Sequence, residues 1–82
     1  MANINIESTQ EDRNAVLTAV GTLNDNKVVK HMSYAMLASE SGLSPEKVRL
    51  VIGDLVNEGL LKRFDVSQSK RVPRYYYVRS DN

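Results

Sequence analysis

Basic side chains gather towards the C-terminal end of the 82-residue sequence. Residues 62–79 carry six Lys or Arg residues against one Asp, a balance of +5, whereas residues 1–26 carry four acidic residues against one Arg, a balance of −3. The net charge of the whole chain, +1, hides this difference. Because phosphate contacts supply most of the non-specific affinity for a nucleic acid, a basic end suits a polyanion-binding surface. A solvated hairpin with ordinary surface charges would look the same, and charge alone leaves both interpretations open.

Side chains for catalysis or metal binding are sparse. His31 is the only histidine and cysteine is absent, so the sequence offers neither a cluster of metal ligands nor a disulfide framework. The four glycines are isolated and do not form a phosphate-binding loop. A chain of this length forms one domain with a single core, which leaves little room for an enclosed active site. We therefore expect a protein that is not an enzyme and that needs no metal or other cofactor.

The hydropathy pattern favours a cytoplasmic protein with no membrane partner. No apolar run approaches the length of a membrane span, and the N-terminus has no signal-peptide pattern. The absence of cysteine agrees with a reducing compartment, although it does not require one.

Helical periodicity and capping residues predict the first half of the fold. Residues 1–7 lack a turn signal and are expected to be a flexible arm. Ser8 and Glu11 match a capping box, which predicts a first helix that ends at Asn24-Asp25-Asn26. Residues 27–32 predict a short strand.

Two further helices are predicted on either side of a tight turn. Ser33 is the expected N-cap of a helix over residues 34–41, and Gly42 is expected to end it in the left-handed conformation. Ser44 followed by proline predicts the start of a third helix, residues 45–58.

The C-terminal part predicts a hairpin. Residues 60–66 and 74–79 have strand composition, and a polar connection over 67–73 separates them. The second strand contains three consecutive tyrosines, which alternate between its two faces. At least one face must pack on the helices, so core packing is favoured over a base-stacking platform.

Residues 37–48, with the sequence LASESGLSPEKV, place a glycine-containing turn between two short helices, as in a helix-turn-helix. With a hairpin directly after the third helix, the chain resembles the winged helix-turn-helix family of bacterial and archaeal transcriptional regulators from Asn14 to Arg79. The shared pattern consists of Leu37-Ala38, Gly42-Leu43-Ser44, Val48, Leu55, Gly59-Leu60-Leu61 and Arg63. The resemblance implies an α+β winged helix-turn-helix domain over residues 8–80, with three helices, a short first strand and a C-terminal two-stranded wing.

The resemblance also implies that the third helix enters the major groove of duplex DNA, while the wing, residues 67–74, touches the backbone or the minor groove. Arginine and lysine can pair with guanine edges, glutamate can accept from cytosine, and leucine can lie against a thymine methyl. The candidate DNA contacts are Ser44, Glu46, Lys47, Arg49, Leu50, Lys70, Arg71 and Arg74. The same residues could form an ordinary solvated face, with Glu46 complementing the helix dipole.

The predicted function is therefore sequence-specific binding of double-stranded DNA by a transcriptional regulator. A homodimer would match a two-fold operator, although no long extra helix is present to build a large interface. The alternative is a winged-helix adaptor that binds a protein partner and no nucleic acid. The positions of the basic candidate residues distinguish the two functions. DNA binding is favoured if they lie on one surface, and the adaptor is favoured if they are scattered. Binding of RNA or single-stranded DNA through the tyrosines is a third hypothesis with less weight.

Overall fold

Three helices are followed along the chain by two strands that pair into one antiparallel sheet. The computed structural model describes residues 8–68 and 71–80. The elements are α1 (Gln10–Asp25), α2 (Tyr34–Ser41), α3 (Pro45–Asn57), β1 (Leu61–Asp65) and β2 (Tyr75–Arg79). The α+β class, with three helices and a C-terminal hairpin, is confirmed, and the layout is compatible with a winged helix. None of the helices in the described residues is long and apolar enough to cross a bilayer. The predicted arm, residues 1–7, lies outside the described residues.

The start of α1 differs from the prediction by one residue. Thr9 is the N-cap: its hydroxyl accepts a hydrogen bond from the Asp12 N–H at 3.1 Å, and the Asp12 carboxylate accepts one from the Thr9 N–H at 3.2 Å. The capping box predicted for Ser8 and Glu11 is therefore wrong. The Ser8 hydroxyl instead donates to Oδ2 of Asp54 at 2.7 Å and so contacts α3.

The turn between α2 and α3 forms as the sequence predicts. Ser33 caps α2 and Ser44 caps α3, each hydroxyl accepting a hydrogen bond of 3.1 Å from the N–H three residues further on. Gly42 ends α2 with φ of 80°, a conformation that residues with a Cβ rarely adopt. These local signals fix both ends of α2 and the start of α3. Helix α3 ends at Asn57, and Glu58, the predicted last residue, is its C-cap.

All three helices and both strands contribute to one apolar core. Four inward residues of α3 are buried, as its periodicity predicts, and they pack against Leu37 of α2 and Val16 and Val20 of α1. Burial of one such side chain contributes about 2 kcal/mol. The buried core residues are Val16, Ala19, Val20, Met32, Leu37, Ala38, Val48, Val51, Ile52, Leu55, Leu61 and Tyr77. The core therefore holds α3 with its other face towards solvent.

The short strand predicted over residues 27–32 is wrong. The start of this segment turns away from α1, because the Val29 N–H donates to the carbonyl of Asn26 at 3.0 Å. Its end meets the sheet through a hydrogen bond of 2.8 Å from the Met32 N–H to the carbonyl of Tyr75. The segment thus lies against β2 at its last residue without forming a strand.

The tyrosines of β2 pack against the protein, as predicted. Tyr77 is only 1% exposed, and Tyr75 and Tyr76 are partly buried against the core. In the sheet register, Tyr77 is opposite Arg63 and Tyr76 is opposite Phe64. The Phe64 side is the more open one, because this phenylalanine is 49% exposed.

Candidate nucleic-acid interface

The first turns of α3 present polar and apolar groups to solvent. Glu46 and Arg49 are exposed, and Leu50 is 36% exposed. Their direction follows from the helical period, because the buried residues of the same helix hold the opposite face on the core. Ser44 is also exposed, and its hydroxyl oxygen accepts the capping hydrogen bond from the N–H of Lys47. Four of the five predicted contacts on this helix therefore face solvent together.

Lys47, the fifth predicted contact, is held against α1. Its Nζ lies 3.2 Å from Oδ2 of Asp12, and its side chain is only 23% exposed. The hydrogen bond from the Thr9 N–H lowers the pKa of Asp12, burial opposes this effect, and Lys47 adds to it. The ammonium group of Lys47 is therefore paired with a carboxylate of α1. The position of this lysine in the sequence does not reveal the ion pair.

The acidic residues in the C-terminal half of α3 also face α1. Asp54 accepts a hydrogen bond from the hydroxyl of Ser8, and Glu58 pairs with both terminal nitrogens of Arg13. The hydrogen bond to Glu58 raises the pKa of Arg13. These contacts occupy the two carboxylates that would oppose insertion of α3 between phosphates. The exposed predicted contacts of α3 lie in its N-terminal half, and Gly53, one turn further on, is also exposed.

The wing residue Arg74 is fixed at the point where the connection meets β2. Its N–H donates to Oγ of Ser67 at 2.8 Å, and its carbonyl accepts from the Val66 N–H at 2.9 Å. Its guanidinium Nη1 lies 3.0 Å from Nε2 of His31. Arg71 is exposed. Lys70 lies outside the described residues.

Two basic residues near Arg74 were missing from the predicted site. Lys30 and His31 line a surface cavity of about 300 Å³ together with Arg74. His31 is 43 positions from Arg74, and only the fold brings them together. The Lys30-His31 pair, separated from the N-cap Ser33 by one residue, was the available signal. In the described residues, no three His, Asp or Glu side chains are placed to hold a metal ion.

The predicted residues thus fall into two groups. The α3 group consists of Ser44, Glu46, Arg49 and Leu50, with Lys47 turned to α1. Arg74 contacts the loop before α2 instead, where it lies with Lys30 and His31. Another basic residue, Arg63, stacks on the ring of Tyr75 at 5.0 Å from its centroid.

Comparison with known proteins adds no relative. The sequence matches no model of a protein family, and no curated protein is significantly similar to it. The resemblance to winged helix-turn-helix regulators remains a prediction from the motif at residues 37–48 and from the order of the elements.

Proposed function

We propose that this protein binds double-stranded DNA sequence-specifically as a small cytoplasmic transcriptional regulator. The N-terminal half of α3 enters the major groove, and the wing, residues 67–74, meets the backbone or the minor groove. The observation that carries the proposal is the exposed Arg49, with Glu46 and Leu50 beside it, on a helix whose opposite face is buried.

The chemistry of this face suits base recognition. A guanidinium can donate two hydrogen bonds to the O6 and N7 of guanine, which gives Arg49 a partner that it reads specifically. Glu46 can accept from the amino group of cytosine, and Leu50 can lie against the methyl of thymine. Because the core holds α3 rigidly, these groups are positioned before binding, which limits the entropy cost of association.

Cations on the wing supply the sequence-independent part of the affinity. Arg71 and Arg74 are exposed, and Lys70 adds a third charge in the sequence. Contacts of these residues with phosphates release counterions, so affinity falls as salt rises.

The test is fluorescence anisotropy of the full chain with labelled duplexes over a series of salt concentrations. Arg49→Ala should reduce the preference for a selected duplex, because base-pair discrimination of about 1–3 kcal/mol is lost with a bidentate contact. Lys70→Ala with Arg71→Ala should weaken all duplexes alike and reduce the salt slope. Lys27→Ala, which removes an exposed charge after α1, is the matched control. Absence of binding at low salt, or equal effects of Arg49→Ala and Lys27→Ala, would overturn the proposal.

An adaptor that binds a protein partner is the second candidate. The division of the basic candidates into two groups favours it, and so do exposed apolar side chains at the hairpin. Phe64 and Val72 are both 49% exposed, and Val66 is 38% exposed, on or next to the hairpin. Apolar side chains that remain open to water in this number suit a protein contact. Absence of duplex binding at low salt, together with loss of a bound protein partner on Phe64→Ser, would support the adaptor.

A further inference from the structure

A cavity of about 300 Å³ lies between the loop before α2 and the end of the wing. Its walls are largely apolar or aromatic and include Tyr34, Tyr75, Tyr77, Val72 and Pro73. The volume is at the lower end of the range for small-molecule sites, and such sites combine apolar walls with a few polar groups. The cavity is therefore large enough for a single flat ring with a short substituent.

Apart from Ser33 and the tyrosine hydroxyls, the polar side chains that line this cavity are those of His31 and Arg74. His31 and Arg74 line both this cavity and the neighbouring one, which Lys30 also lines. Among the described residues that line the two cavities there is no Asp or Glu. This corner of the protein is therefore suited to an anion.

The contact between His31 and Arg74 leaves Arg74 able to bind such an anion. A guanidinium can only donate, so Nε2 of His31 is the acceptor in their 3.0 Å contact. A single ring nitrogen is a weaker partner for a guanidinium than a carboxylate, which accepts two parallel charge-assisted hydrogen bonds. A ligand carboxylate at this position would replace the contact with a stronger one.

We propose that the tyrosine-lined cavity binds a small aromatic carboxylate. The ring lies among the tyrosines and Pro73, and the carboxylate pairs with Arg74 beside His31 and Lys30. The apolar walls favour a ligand that has an aromatic ring over a bare anion, since offset or edge-to-face contacts between aromatic rings are favourable. The site goes beyond the proposed binding of DNA and can be tested without any nucleic acid. Because Arg74 is also a candidate phosphate contact, the ligand would compete with duplex DNA for this side chain.

The experiment is an NMR titration of the ¹⁵N-labelled full chain with three probes: benzoate, its neutral isostere benzamide, and inorganic phosphate. Benzoate should give saturable shifts centred on the amides of residues 31–34, 71–72 and 74–77. Benzamide should bind about tenfold more weakly, because it lacks the charge that Arg74 recognises. Phosphate should shift the amides of Lys30 and Arg74 without moving those of Tyr34 and Tyr77. Phosphate binding as tight as that of benzoate would show that the apolar walls contribute nothing and would overturn the proposal.

Substitutions separate the charged and apolar parts of the site. Arg74→Gln should reduce the affinity for benzoate about tenfold, while Arg49→Gln, which removes an equally exposed charge from α3, should leave it unchanged. Val72→Ala should weaken benzoate and leave phosphate unaffected, because only the ring contacts the apolar wall. Both residues are exposed, so the variants should fold. Equal effects of Arg74→Gln and Arg49→Gln, or no saturable shift with benzoate, would refute the site.

Discussion

Lys47, in the first turn of α3, forms an ion pair with Asp12, in the first turn of α1, with Nζ 3.2 Å from Oδ2. The same carboxylate oxygen accepts a hydrogen bond from the N–H of Thr9 at 3.2 Å. One carboxylate therefore completes the N-cap of α1 and neutralises a cation at the end of α3 that is proposed to meet DNA. The stability of α1 and the charge of α3 are coupled through this side chain.

Asp12→Asn should raise the affinity for any duplex at low salt several-fold, because it removes the carboxylate that pairs with Lys47 and so a negative charge near α3. The same variant should melt a few degrees lower, since the amide retains a capping oxygen but loses the ion pair. Anisotropy titrations and thermal unfolding measure the two effects. Asp25→Asn removes the same charge from the exposed far end of α1 and is the control. Equal gains in affinity for the two variants would mean that net charge alone is responsible.

Gly53 provides a test of how closely DNA approaches α3. A Cβ added at Gly53 or at Gly21 of α1 would meet nothing within 4 Å, so the fold itself does not explain either glycine. Alanine at either position should stabilise the protein by about 0.5–1 kcal/mol through its higher helix propensity. Gly53→Ala should in addition weaken duplex binding, because the added methyl lies on the exposed side of α3. If both variants bind DNA like the unchanged protein, the groove does not reach Gly53.

The hydroxyl of Tyr77 should make the protein sensitive to alkali. Burial raises the pKa of Tyr77 from 10.0 to about 12. The interaction with Tyr34 adds to this rise, and the interaction with Arg63 opposes it. The folded state holds the hydroxyl proton of Tyr77 more tightly than the unfolded state does. Its contribution to the free energy of unfolding is therefore fully present below pH 10 and is lost as the pH rises towards about 12. The loss should amount to about 2–3 kcal/mol of unfolding free energy. Urea unfolding at a series of pH values measures it, and Tyr77→Phe should flatten this part of the profile. An unchanged alkaline loss in Tyr77→Phe would assign it to other groups.

The local signals of the sequence were sufficient for the turn between α2 and α3. Ser33, Gly42 and Ser44 each act through backbone groups within three or four residues, so their roles can be predicted from neighbouring residues without knowledge of the fold. The buried face of α3 was also predictable, because the helical period alone decides which side carries Val48 and Leu55.

What the sequence could not show depends on contacts between distant residues. Ser8 and Thr9 are both suitable N-caps, and the contact of Ser8 with Asp54, 46 positions away, accompanies the choice of Thr9. The contact of His31 with Arg74 likewise requires the folded chain. Periodicity and capping describe single elements, and they are silent about which side chains two elements bring together.

The ion pair between Arg13 and Glu58 should hold the start of α1 on the end of α3. Arg13→Gln and Glu58→Gln should each lower Tm by a few degrees. The double variant should have a Tm no lower than that of the less stable single variant, because both substitutions remove the same interaction. The effect should shrink at high salt, since both side chains are partly exposed. Glu40→Gln, on the exposed side of α2, is the control for loss of one acidic charge. Additive losses in the double variant would show that Arg13 and Glu58 stabilise the protein independently and that their ion pair does not hold α1 on α3.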